Sequence, residues 1–101
     1  MGIKYLVIIG ENAHSMIERH AEFLARVNVS AAMKLINQLY DDIDTLSSMP
    51  ERNPFYEGYT APPERYRKML SGKRYLILYE ITEHTVEVDY IVDCRQEKYI
   101  I

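Results

Sequence analysis

The sequence is poor in cysteine and has no long hydrophobic run. Cys94 is the single cysteine among 101 residues, so the chain cannot form an internal disulfide bond. No N-terminal apolar segment of signal-peptide length is present, and no apolar run approaches the ~20 residues that a membrane-spanning helix needs. We therefore expect a location in the reducing cytoplasm and no membrane partner.

Several motifs of enzyme active sites are also missing. The chain has no glycine-rich phosphate loop, no zinc-ligand spacing and no nucleophile elbow. The three histidines, His14, His20 and His84, are scattered along the sequence. We therefore expect neither a metal nor a cofactor, and most classes of small-molecule enzyme are excluded.

The charge balance is mildly acidic. With 12 basic and 15 acidic residues the formal net charge is −3. Proteins that bind nucleic acid through its phosphates are usually basic overall, so this balance counts against an extended nucleic-acid surface. A local basic patch stays open, because Arg65, Arg67, Lys68, Lys73 and Arg74 fall within one short stretch.

The N-terminal half has one strand pattern and two helix patterns. Residues 4–10 are a short β-branched apolar run with a glycine stop, which predicts a strand buried on both faces. Apolar positions then recur three and four apart, first around Ile17 and then from Ala32 to Leu46, as in an antiparallel helical hairpin. Ser15 and Ser30 are the predicted N-caps of the two helices.

The C-terminal half predicts a meander of antiparallel strands. Residues 66–95 contain three short apolar runs separated by breaks of two or three residues. The middle run, 74–81, is apolar at odd and even positions alike, so it should be the central strand with both faces covered. In the last run the alternation places Val86, Val88, Tyr90 and Val92 on one face, with Ile91 as an exception.

All four prolines lie in residues 47–64, which predicts an irregular connection.

These patterns predict a single domain over residues 1–101. The element order is β-α-α-β-β-β, and helices that are adjacent in sequence lie on one side of such a sheet. The predicted fold class is therefore α+β, with an antiparallel-rich four-stranded sheet and an N-terminal helical hairpin on one face.

This arrangement resembles one family over nearly the whole chain. The helix exit at Leu46-Ser47-Ser48-Met49-Pro50, the strand from Tyr75 to Ile81 and the ending Ile91-Val92-Asp93-Cys94-Arg95-Gln96 are similar to the RelE/ParE superfamily of bacterial toxins, which includes plasmid stabilisation proteins. The resemblance implies a toxin of a type II toxin–antitoxin pair, held inactive by a cognate antitoxin. In this superfamily the RelE branch cleaves mRNA on the ribosome, and the ParE branch inhibits DNA gyrase without hydrolysis. The resemblance therefore implies one of these two activities for this chain.

The resemblance also implies candidate site residues. Metal-independent RNA cleavage needs a base, an acid and cations that stabilise the phosphate. Matched by position to the nuclease branch, Arg67 and Arg95 supply cations and Tyr99 supplies proton transfer, while Arg74 matches only after a register shift. Leu76 and Met69 stand where that branch carries basic residues. Asp93 shares a strand face with Arg95, which is also the geometry of an ordinary surface ion pair.

We expect a ribosome-dependent mRNA endoribonuclease that inhibits translation, with the ribosome and mRNA as partners. Two alternatives stay open: a non-enzymatic inhibitor of DNA gyrase, and an inactive toxin-fold protein that only binds a partner. A homodimer is a further open alternative.

Overall fold

A helical hairpin lies over one face of a four-stranded sheet. The structure is a computed structural model that describes residues 4–57 and 63–95. Its elements are β1 (Leu6–Ile9), α1 (Glu11–Ala25), α2 (Val29–Asp44), β2 (Arg67–Ser71), β3 (Tyr75–Thr82) and β4 (Thr85–Asp93), with two short 3-10 turns at Thr45–Ser47 and Pro50–Arg52. The predicted α+β class and the element order are confirmed.

The sheet pairs the beginning of the chain with its end. Its strand order is β1-β4-β3-β2, with β1 and β4 parallel and the other neighbours antiparallel. β1 is an edge strand, and the prediction that both of its faces are buried was wrong: Leu6 is 65% exposed and Ile8 is 44% exposed. The helices cover one face only, so the alternate residues Val7 and Ile9 pack against the core.

The prediction for the middle run is confirmed, because β3 is an internal strand with both faces covered. Ile77 and Tyr79 are fully buried on the face that carries the helices, and Leu78 is fully buried on the opposite face. The continuous apolar run of this strand therefore reflects burial on two sides.

A β-bulge in β4 changes the predicted alternation. Tyr79 pairs with Val88 while its neighbour Leu78 pairs with Tyr90, so Asp89 is an extra residue in β4. Residues directly opposite each other share a face, and Val88 and Tyr90 therefore lie on different faces. The prediction of one common face from Val86 to Val92 was wrong beyond the bulge.

The same bulge explains the exception at Ile91. After one inserted residue the alternation reverses, so Ile91 pairs with Ile77 on the helix-covered face and is fully buried. The bulge is held by side chains: the Tyr66 hydroxyl donates to Asp89 Oδ2 at 2.9 Å, and Asn12 Nδ2 donates to the Asp89 carbonyl at 3.0 Å.

The helical hairpin packs through the predicted apolar stripe of α2 and through the buried face of α1. Its buried residues are Ala13, Met16, Ile17, Ala21, Ala32, Leu39 and Ile43.

The predicted N-caps of the two helices were wrong. α1 begins after Gly10, and α2 is capped by Asn28, whose Oδ1 accepts from the Ala31 amide at 3.0 Å. Asn28 has extended backbone (φ −157°), which lets its side chain reach the first free amides of the helix.

The irregular connection after α2 is anchored to the sheet. The Tyr79 hydroxyl donates to the Pro50 carbonyl at 2.6 Å and accepts from Asn53 Nδ2 at 3.0 Å. Farther along, Phe55 pairs with Arg67 in an antiparallel bridge at the free edge of β2. The connection therefore covers an edge that would otherwise expose unpaired backbone groups.

Candidate functional site

A pocket of about 210 Å³ lies between α1 and the ends of β3 and β4. We call it the arginine pocket, and its lining is Arg19, His20, Phe23, Arg74, Tyr75, Asp93 and Arg95. The antiparallel register pairs Tyr75 at the start of β3 with Asp93 at the end of β4. Arg74 precedes the first of these residues and Arg95 follows the second, so the sheet brings the two arginines together.

Asp93 binds both arginines. Its Oδ2 accepts from Arg74 Nε and Nη2 at 3.2 and 3.1 Å and from Arg95 Nη2 at 3.1 Å. Its Oδ1 accepts from the Arg95 amide at 3.0 Å and from Arg95 Nε at 3.3 Å. The predicted ion pair of Arg95 and Asp93 is therefore present, and it is shared with Arg74.

The carboxylate is buried while the guanidinium groups reach solvent. The side chain of Asp93 is 8% exposed, against 38% for Arg74 and 65% for Arg95. A guanidinium group has five N–H donors, and the contacts with Asp93 use only Nε and Nη2 of each arginine. Nη1 of neither arginine contacts Asp93, and Arg74 also interacts with the Tyr75 hydroxyl, so each guanidinium keeps donors for a further anion.

α1 contributes the opposite wall of the pocket. His20 Nε2 lies 2.8 Å from the Ile91 carbonyl oxygen, and because a carbonyl only accepts, this nitrogen carries a proton. The His20 ring also packs against Tyr75 with 4.9 Å between centroids. Phe23 is 64% exposed at the rim. Arg19 forms no hydrogen bond or ion pair with any residue of the described ranges, so its charge is not neutralised there.

The electrostatics of the arginine pocket suit an anion. Three guanidinium groups and one carboxylate line it, which leaves a net charge of +2 in a chain whose overall charge is −3. The pKa of Tyr75 is raised, mainly by burial and also by Asp93, while Arg74 acts in the opposite direction. Tyr75 is therefore a neutral hydroxyl near pH 7 and no general base. The arrangement can bind negative charge. The proton-accepting side chains among its described residues are His20 and Asp93, and Asp93 already accepts hydrogen bonds from both arginines.

Arg67 lies elsewhere. It donates to the carbonyls of Asn53 at 2.7 Å and Glu51 at 3.2 Å, and its guanidinium lies 4.1 Å from the centroid of the Phe55 ring. It pairs with Tyr79, four residues along β3 from Tyr75, which is about 13 Å at the rise of a strand. Arg67 thus holds the irregular connection against the sheet.

The structure therefore brings together Arg74 and Arg95 and separates both from Arg67. Tyr99 lies outside the described residues. Sequence reasoning did not assign Arg19, His20 or Phe23 to a site. One feature of the sequence could have pointed to them: His20 is a titratable residue at a position of the apolar stripe of α1. A polar residue there indicates a polar contact where the helix meets the sheet.

No group of three or more metal-ligating side chains occurs within residues 4–57 and 63–95. None of the helices in those ranges has the length and hydropathy of a membrane span.

Comparison with known proteins places the chain beside one kind of bacterial protein. Residues 7–98 match the family model described as the ParE toxin of the type II toxin–antitoxin system parDE. No curated protein matches the sequence. Eleven chains of solved structures match the fold. Among them is a chain of the chromosomal ParDE toxin–antitoxin system from P. aeruginosa, with a TM-score of 0.71, 8% identity, and coverage of 89% of this chain and 96% of that one.

Proposed function

Because this chain belongs to the ParE toxin family of type II toxin–antitoxin systems, we propose that it acts by binding DNA gyrase and not by cleaving RNA. Its role as the toxin of such a system implies a cognate antitoxin as partner. Two points support gyrase as the target: the match is to the ParE branch, for which the resemblance implies gyrase inhibition, and the candidate catalytic residues are separated.

The position of Arg67 is the observation on which this proposal rests. A metal-independent nuclease needs its cations around a single phosphate. Arg67 is engaged by two backbone carbonyls and an aromatic ring about 13 Å along β3 from the arginine pocket. Arg74 and Arg95 are bound to Asp93, which offsets part of their charge. Because the arginines are separated in this way, they are better suited to binding the surface of a protein target than to stabilising the transition state of RNA cleavage.

A ribosome-dependent endoribonuclease is the second candidate. The proximity of Arg74, Arg95 and Arg19 favours it, because three guanidinium groups around one pocket could hold a phosphodiester. In that case Arg67 would act only by supporting the fold, and Tyr99 would be required for proton transfer.

One experiment separates the two candidates. The purified toxin is added to a supercoiling reaction with gyrase and relaxed plasmid, and in parallel to a translation reaction in which cleavage of the message is mapped by primer extension. Loss of supercoiling without cleavage supports the proposal. Codon-phased cleavage that Arg95→Ala abolishes, with supercoiling intact, overturns it in favour of the nuclease. No effect in either reaction also overturns it and supports an inactive binding protein.

The matched variants for this experiment are Arg95→Ala and Arg67→Ala. A nuclease built on the arginine pocket would lose cleavage in Arg95→Ala, whereas the folded fraction of Arg67→Ala would still cleave. If gyrase is the target, Arg67→Ala should lower the stability of the toxin while leaving inhibition by the remaining folded protein unchanged. The folded fraction is measured by circular dichroism before each assay.

A further inference from the structure

We propose that the arginine pocket binds a phosphate dianion, either inorganic phosphate or the terminal phosphate of a nucleotide. This goes beyond the proposed function, because it requires neither gyrase nor a message. Arg19, Arg74 and Arg95 would hold the phosphate, with Asp93 fixing the last two in place.

The charge of the pocket matches that of the ligand. Its lining carries a net charge of +2 without counting His20, and a phosphate monoester carries about −1.5 to −2 near pH 7. A single carboxylate would leave one positive charge unneutralised. The match therefore favours phosphate over an acidic side chain.

The donors are arranged in advance. Asp93 engages the Nε and Nη2 atoms of Arg74 and Arg95, so both guanidinium planes are fixed before a ligand arrives. Their Nη1 groups are not used by Asp93. Planar guanidinium groups bind phosphate through paired N–H donors, and a fixed plane loses less side-chain entropy on binding.

The third cation comes from the facing wall. Arg19 lies on α1, across the pocket from the sheet arginines, and it is exposed with no polar partner in the described ranges. Asp93 offsets only part of the charge of Arg74 and Arg95, so the nearby Arg19 leaves a net like-charge repulsion in the pocket. A bound phosphate would relieve that repulsion.

The size of the pocket limits what enters it. A volume of about 210 Å³ is below the roughly 300–1,000 Å³ of sites that enclose drug-sized ligands, so the pocket suits a phosphate group better than a fully enclosed nucleotide. Phe23 lies at the rim with 64% of its surface exposed, and its ring offers a face on which a base could stack.

The test is isothermal titration calorimetry of the purified full chain in phosphate-free buffer at low salt. The probes are sodium phosphate, adenosine 5′-monophosphate, adenosine and acetate. We expect saturable binding of phosphate or the monophosphate, with adenosine and acetate at least about 10-fold weaker. Equal affinity for the two phosphates identifies free phosphate as the ligand. Tighter binding of the monophosphate identifies a nucleotide, and Phe23→Ala should then reduce that advantage.

A charge-matched pair of variants controls for nonspecific attraction. Arg19→Gln removes one positive charge from the pocket, and Arg26→Gln removes one from an exposed residue seven positions later, about 10 Å along the helix axis. We expect Arg19→Gln to weaken phosphate binding about 10-fold and Arg26→Gln to change it less than about 2-fold. Neither side chain has a polar partner in the described ranges, so both variants should fold. Absence of saturable phosphate binding, acetate binding as tight as phosphate, or equal weakening in both variants would overturn the proposal.

Discussion

Replacing Asp93 by asparagine should lower the free energy of unfolding by about 2–4 kcal/mol. The substitution keeps the shape of the side chain and removes its charge. Asp93 accepts from both guanidinium groups and from one backbone amide while only 8% of its side chain is exposed. An amide at this position keeps one acceptor oxygen and places N–H donors against the donors of an arginine.

The magnitude has two parts. Because the arginine partners are 38% and 65% exposed, solvent screens the ion pairs, and together they contribute about 1 kcal/mol. A buried amide donor without an acceptor costs a further ~1–3 kcal/mol. For a chain of this size a loss of about 2–4 kcal/mol corresponds to a fall in Tm of roughly 10 °C or more.

The assay is urea unfolding followed by far-UV circular dichroism, because the sequence has no tryptophan to serve as a fluorescence probe. Asp41→Asn is the control. Asp41 is exposed on α2 and has no hydrogen bond or ion pair with the described residues, so the removal of its charge should lower the free energy of unfolding by less than about 0.5 kcal/mol. If Asp93→Asn were no more destabilising than Asp41→Asn, the reasoning about a buried shared carboxylate would be refuted.

Three further predictions concern the scaffold around the site. Tyr79→Phe should cost about 2 kcal/mol in urea unfolding, because the buried Pro50 carbonyl and the half-buried Asn53 amide lose their partner. Tyr90→Phe, which removes a hydroxyl with no hydrogen bond to described residues, should cost under about 0.5 kcal/mol. Asn28→Ala should cost about 1 kcal/mol and Ser30→Ala clearly less; the reverse order would show that Ser30 is the cap after all. Burial and the hydrogen bond to Asp89 raise the pKa of Tyr66, so the folded state favours its protonated form: stability should be complete below about pH 10 and fall above it, by at most about 1.4 kcal/mol per pH unit. An unfolding free energy that stayed constant from pH 9 to 11, or a Tyr66→Phe variant with an equally steep decline, would contradict this.

Periodicity predicted the parts of the fold that depend on local pattern. The run from Tyr75 to Ile81 is apolar at successive positions, and only a strand covered on both faces accommodates such a run. The apolar stripe from Ala32 to Leu46 has one helical period, so one buried face follows from it, and this face continues from α2 into the 3-10 turn that contains Leu46. The family resemblance rests on the same patterns, which is why it extends over the whole sheet.

Periodicity could not predict features that depend on which elements become neighbours. An edge strand and an internal strand of four apolar residues have the same sequence pattern, so the exposure of Leu6 and Ile8 became evident only from the strand order. The bulge at Asp89 depends on pairing with β3 and on the hydrogen bond from Tyr66, which is 23 residues away along the chain.

The candidate site divides in the same way. The sequence by itself determined that arginines would stand at the ends of the central strands, because Arg74 and Arg95 directly flank apolar runs. Only the tertiary structure decided that these two share Asp93, that Arg19 faces them from α1, and that Arg67 belongs to a different part of the sheet. The physical reason is that a strand pattern specifies the face on which a side chain lies, whereas the partner it meets there is specified by register and by helix packing between residues far apart in sequence.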